Sequence, residues 1–194
     1  MGKVHKRMGT RIRKTIISRT LVLVLTLMFF TTVYAAERQY GWDGDLFVIS
    51  DMGLTLVAPA VAAVASDDEL AAENAVSGPD EPVSIASFVS ENGNIMFAIG
   101  YKELPDEEKT GYPAVLRGLM ASALGISTEN ILDGQSSLFE HEGVLLIVVG
   151  QPYMLENYVF EVPGGVYVFS LTAPADDFDE AAFFFYDVFE PMHE

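Results

Sequence analysis

The chain contains no cysteine among its 194 residues. Disulfides, thiolate metal ligands, cysteine nucleophiles and a lipid anchor on an N-terminal cysteine are therefore excluded. Histidine is nearly as scarce, with three in all, of which only His141 and His193 lie beyond the N-terminal region. Tryptophan occurs once, as Trp42. The chain also lacks G-x-S-x-G, S-x-x-K, H-E-x-x-H, a P-loop and a dinucleotide fingerprint. No catalytic, cofactor-binding or metal-ligating residue is assigned from the sequence, no cofactor is expected, and an enzyme is the less favoured reading.

Basic residues are the next scarcity, and their placement is uneven. Seven of the eleven lie before Leu21, and no acidic residue occurs before Glu37. From Glu37 onward four bases (Arg38, Lys102, Lys109 and Arg117) face 28 acids, a net charge of −24. Such a field repels phosphate backbones and anionic membrane surfaces, so nucleic acid is not an expected partner. It attracts cations and basic protein surfaces, and it also serves solubility. The basic start is followed by the apolar run LVLVLTLMFFTTVYAA, Leu21 to Ala36. A basic region, a short apolar stretch and small residues at its end read as a secretory signal peptide over residues 1–36, with Val33-Tyr34-Ala35 before the cleavage point. The alternative is an uncleaved anchor, which would be the protein's one link to a membrane. Residues 37–194 are expected to form a single domain outside the cytoplasm.

Along that domain, Leu46 to Ile49 and Leu54 to Ala58 read as short strands around an Asp51-Met52-Gly53 turn. Residues 59–82, rich in alanine and acid, read as a surface excursion. Ser66 and Glu69 have capping-box spacing at the start of a short helix. Val83 to Ser90 and Ile95 to Tyr101 read as strands around an Asn-Gly turn. Thr110 to Leu124 reads as a helix with Thr110 as candidate cap, Pro113 in its first turn and Gly125 as its stop. An antiparallel meander follows: a strand from Ser136 to His141, a turn at Glu142-Gly143, and Val144 to Val149 as a central strand covered on both faces. Strands through Tyr158 to Val162 and Tyr167 to Leu171 complete it. The fold class is α+β, an antiparallel sheet with helices packed on its faces.

The stretch DDFDEAAFFFYDVFEPMHE, Asp176 to Glu194, reads as a last helix. Its acids sit at the helix start, where carboxylates cap free N–H groups, and the spacing lacks a calcium-loop pattern. Phe178, Phe185 and Phe189 share the apolar stripe, whereas Phe183 falls among the acids. Phe183 is therefore a candidate partner contact. Trp42, beside Asp43-Gly44-Asp45, is a second; the alternative for it is a plug at the edge of the core. His141 beside Glu142 is the one pair that could do acid–base work, with an exposed turn histidine as the alternative.

The phrase Gly53-Leu54-Thr55-Leu56-Val57-Ala58-Pro59, the later strand VYVFSLTAP and the closing segment Phe185 to Met192 together resemble the PsbP-like family. In that family a strand with a Tyr-x-hydrophobic pattern leads into a final helix. Here Phe185 to Met192 stands in that place without the family's Ser-Phe. The resemblance implies an antiparallel sheet with helices on its faces and a mainly non-catalytic role as a secreted or lumenal protein docking on larger assemblies. Many bacterial members have no assigned role, and no partner or binding residue carries over. The expected function is thus a secreted or cell-surface binding protein, of the bacterial envelope type, whose acidic surface meets a cationic or protein partner. The alternatives are a calcium-responsive envelope module and an enzyme using His141 and Glu142.

Overall fold

The computed structural model describes residues 40–44, 46–57, 62–91, 93–138, 140–148 and 152–177, all within the unit Gln39–Glu194. Residues 1–36, expected as a signal peptide, and Phe183, His193 and the aromatic stretch from Phe178 lie outside the described residues.

Three short strands, β1 (Tyr40–Asp43), β2 (Leu46–Ile49) and β3 (Leu54–Val57), form a small antiparallel sheet in sequence order. Alternation sets its buried face: Phe47, Ile49, Leu54 and Leu56 point inward, while Val48 and Thr55 do not. The turn expected at Asp51-Met52-Gly53 is present, closed by Gly53 N donating to Ser50 O at 3.2 Å.

The remaining strands make one seven-stranded sheet in the order β4-β5-β6-β10-β9-β8-β7, antiparallel throughout. They are β4 (Ala62–Val64), β5 (Val83–Ser90), β6 (Met96–Glu103), β7 (Ile131–Leu138), β8 (His141–Val148), β9 (Tyr153–Val162) and β10 (Gly165–Pro174). The excursion at 59–82 thus opens with an edge strand. It continues as helix α1 (Asp67–Asn74), whose capping box is formed by Ser66 and Glu69 as the spacing requires. Asn74 fastens α1 to β5 by accepting from Ser84 N (2.7 Å) and donating to Ser84 O (2.9 Å).

One face of the large sheet packs against the small sheet. Its core is aromatic: Phe47, Phe88, Phe97, Phe160, Tyr167 and Phe169 are all sealed from solvent. The other face takes helix α3 (Tyr112–Leu124), which follows the short helix α2 (Asp106–Lys109). Tyr112, Leu116 and Met120 of α3 meet Ile131, Leu146, Val148, Val159, Val166 and Val168. Pro113 sits in the first turn, and Gly125 ends the helix in the left-handed conformation (φ +64°) that glycine adopts without strain. Thr110 is not the cap; Gly111 occupies that position without a side-chain bond.

Two expectations are corrected in the meander. The turn expected at Glu142-Gly143 lies instead before His141, where Glu140 takes φ +65°, so Ser136 lies within β7 and His141 starts β8. Gly143 is there for packing: a Cβ on it would come within 2.5 Å of Val159 O and 2.8 Å of the Phe160 ring. The central strand is β10, with seven of its ten residues buried and the other three half-buried, whereas β8 lies next to β7, the outermost described strand. The unbroken run Val144 to Val148 arises because Val144, Leu146 and Val148 meet α3 while Leu145 and Ile147 are half-buried on the opposite face.

Candidate functional site

Helix α3 covers only part of its face of the sheet. Beside its first turns a cleft of about 660 Å³ opens over β7, β8 and β9, a size in the range of natural binding sites. Val144, Leu146 and Val159 form an apolar floor, and Pro113 and Ala114 form one wall. The charged groups come from four elements: Arg117 from α3, Asp133 from β7, Glu142 from β8 and Glu161 from β9.

Strand alternation explains why these side chains converge. On β8, residues 142, 144, 146 and 148 share the α3 face; on β9, residues 155, 157, 159 and 161 do; on β7, Asp133 and Gln135 follow the buried Ile131. Glu142 and Glu161 each lie two residues beyond Val144 and Val159, the last partners in the β8–β9 register. Arg117 closes the cleft's far side. Its Nη1 donates to Asp133 Oδ1 at 2.8 Å, while Nε and Nη2 donate to Thr128 O at 3.0 and 2.8 Å. The Arg117 guanidinium is therefore already committed. The ion pairs among the described residues are Arg117–Asp133 and Lys109–Asp106, so Glu142 and Glu161 carry no cationic partner there.

His141 and Glu142, though adjacent, point to opposite faces. The His141 ring lies edge-on to Phe160, and its Nε2 donates to Met52 O at 2.8 Å, joining the small sheet's turn to the large sheet. Glu142 faces the cleft. The pair cannot act on one substrate atom, and the histidine has a structural bond in place of an exposed turn position. Trp42 lies on β1 with 38% of its surface exposed; its ring meets Phe47 (5.2 Å) and Phe88 (6.0 Å) edge-on. It contributes one side to the core and leaves the other open. Phe183 lies outside the described residues.

No group of three or more His, Asp or Glu among the described residues is arranged to hold a metal ion. Nor is any described helix long and apolar enough to cross a membrane. A second polar cluster sits on the aromatic face, where Tyr167 Oη donates to Asp51 Oδ1 at 3.0 Å and the ring of Tyr101 lies 5.0 Å away. Burial, then the bond to Asp51, raises the Tyr167 phenol far above its ordinary value, so it stays a neutral donor. Tyr112 behaves alike: burial, with Asp80 and Glu81 nearby, raises it to about 12 while its hydroxyl donates to Asp80 O.

No protein-family model matches the chain, and no curated protein does. Among solved structures, the chain is similar to the solution structure of cyanobacterial PsbP (CyanoP) from Synechocystis sp. PCC 6803. The TM-score is 0.47 at 14% identity, covering 70% of this chain and 83% of that one.

Proposed function

We propose that this chain is a non-catalytic binding protein that works outside the cytoplasm, where its acidic surface meets a cationic protein partner. One observation carries the reading: a cleft with an apolar floor holds Glu142 and Glu161 without cationic partners among the described residues, while the Arg117 guanidinium is tied to Asp133 and Thr128. A lysine or arginine side chain suits such a site, since its stem can lie on Val144 and Val159 and its head can meet the carboxylates. Among the described residues no imidazole lines the cleft, which favours binding over proton transfer. Trp42, with its open side, and Phe183, by its place among the C-terminal acids, are proposed as further contacts. The basic and apolar N-terminal run supports export, which fractionation of cells expressing the full chain would check.

The binding test is titration of the protein with poly-L-lysine, followed by amide NMR. Shifts should cluster at Asp133, Glu142 and Glu161, and weaken as salt screens the charges. Shifts spread evenly over the acidic surface would reduce the cleft to ordinary solubilising charge. Calcium is the natural competitor in the same experiment, and an equal response to calcium would favour the cation-responsive reading.

A further inference from the structure

The two edges of the large sheet are built differently. The β4 edge is three residues long and leads directly towards α1, and a short edge strand offers little backbone for pairing. The β7 edge, ILDGQSSL, is eight residues long. It contains no proline and no lysine, and its pairing with β8 runs from Ile131 to Leu138 without a bulge. These are the devices by which edge strands are normally blunted. Its one charged side chain, Asp133, is engaged by Arg117. In an antiparallel ladder every second residue turns its N–H and C=O away from its neighbour, and β7 is the outermost of the described strands.

The side chains along β7 also specify what would fit beside it. Asp133 and Gln135 line the cleft together with Glu142 and Glu161, which have no cationic partner among the described residues, and Ser137 shares their face by alternation. On the opposite face Leu132 is 54% exposed, and nothing lies within 4 Å of a Cβ built on Gly134. A strand laid along β7 would send alternate side chains over the carboxylate side and over the open face around Leu132 and Gly134. Resting on the cationic-partner reading above, we infer that β7 receives an extended segment of a partner protein by strand addition, and that this segment alternates basic and apolar residues. Main-chain bonds to β7 supply affinity and the alternation supplies specificity. A second copy of this chain is a poorer occupant, because it would set Asp133-bearing strands against each other.

The test uses the full chain and three synthetic peptides: alternating Lys-Val, the same peptide N-methylated on alternate backbone nitrogens, and alternating Glu-Val. Fluorescence anisotropy reads affinity, hydrogen exchange reads the β7 amides, and sedimentation reads self-association. Lys-Val is expected to bind and to slow exchange between Ile131 and Leu138, with Glu-Val not binding. N-methylation should weaken binding by about tenfold or more, since it removes main-chain hydrogen bonds. The Gln135→Lys variant, which adds a like charge to the edge without challenging the backbone, should weaken Lys-Val while retaining the wild-type melting temperature. Equal binding of the N-methylated peptide, with β7 amides unprotected, would overturn strand addition and leave the acidic cleft standing. Failure of both lysine peptides to bind would overturn the cationic-partner reading as well. Self-association that already protects β7 amides without peptide would overturn the proposal in favour of a second copy.

Discussion

The two faces of the seven-stranded sheet use different materials. The face under the small sheet is filled by rings: Phe169 lies 5.3 Å from Phe160 and 6.3 Å from Phe97, and Tyr167 lies 5.0 Å from Tyr101. The face under α3 is aliphatic, with a polar inclusion in which Ser170 donates to Asn157 and Asn157 reaches Met120 Sδ at 3.2 Å. Geometry explains the rest of the contrast. Seven strands at ~4.8 Å spacing are about 29 Å across, while the 13-residue α3 is about 20 Å long and about 10 Å wide. One helix of that size leaves sheet uncovered, and the acidic cleft is where it does so. The difference separates a face that holds the fold from a face with room for a partner.

The strongest way to break this contrast is to remove a ring from the sealed face. Phe169 is fully buried in the central strand. Phe169→Ala is expected to cost about 3–5 kcal/mol in urea unfolding, from lost burial plus the cavity left between its neighbours. Leu116→Ala, on the α3 face, should cost less because Leu116 keeps 6% exposure and its helix flanks an open cleft. If Leu116→Ala proves the costlier of the two, the assignment of stability to the aromatic face is wrong.

A smaller effect is expected where β8 crosses β9. Gly143→Ala would drive a methyl against Val159 O and the Phe160 ring, and such overpacking costs about 1–3 kcal/mol. Because that contact lies on the aromatic side while Glu142 faces the cleft, cationic-peptide binding should survive in the folded variant. Loss of binding with stability unchanged would show that the two faces are not independent at this point.

How much of this was legible beforehand depends on whether a signal was local. Phe47 and Leu56 announce their strands by alternation, Ser66 and Glu69 announce their helix start, and Gly125 its end, because each is a neighbour effect. The β7–β8 hairpin is not legible because Glu142-Gly143 looks like a turn, whereas the real turn uses Glu140 in a conformation that non-glycine residues seldom adopt. Gly143 serves a cross-strand contact that sequence does not display. The cleft was hidden for a similar reason. Arg117, Asp133, Glu142 and Glu161 come from four elements, and in a chain this acidic no single carboxylate stands out. Glu142 is a candidate on sequence, but for a partnership with His141 that strand alternation forbids.

A pH titration sharpens the comparison from within the aromatic side. By alternation Glu156 shares a face with Phe160, opposite Ile147 and Leu171, and only 9% of it is exposed. Burial raises its pKa above the ordinary glutamate value. The folded state therefore holds this proton more tightly than the unfolded chain does, and stability contributed by Glu156 falls as pH rises from about 4 through the raised folded value. Glu156→Gln removes the ionisable group, so the variant should gain on the wild type with rising pH. Chemical denaturation at several pH values would read the gain, and a constant offset across the range would show that Glu156 is well solvated when folded.

The smallest stability effect belongs to the cleft. The Arg117 and Asp133 side chains are 32% and 55% exposed, and exposed ion pairs contribute about 0–1 kcal/mol. Arg117→Gln should therefore change unfolding free energy by less than about 1 kcal/mol, even with its bonds to Thr128 lost. Its effect on binding should be larger and of opposite sign. Removing the guanidinium releases Asp133 and leaves three carboxylates around the apolar floor, so a lysine peptide should bind more tightly, most of all at low salt. A melting curve and an anisotropy titration on the same variant suffice. Weaker binding would mean that Arg117 itself grips the partner, making the cleft a site for mixed charge and not for a cation alone.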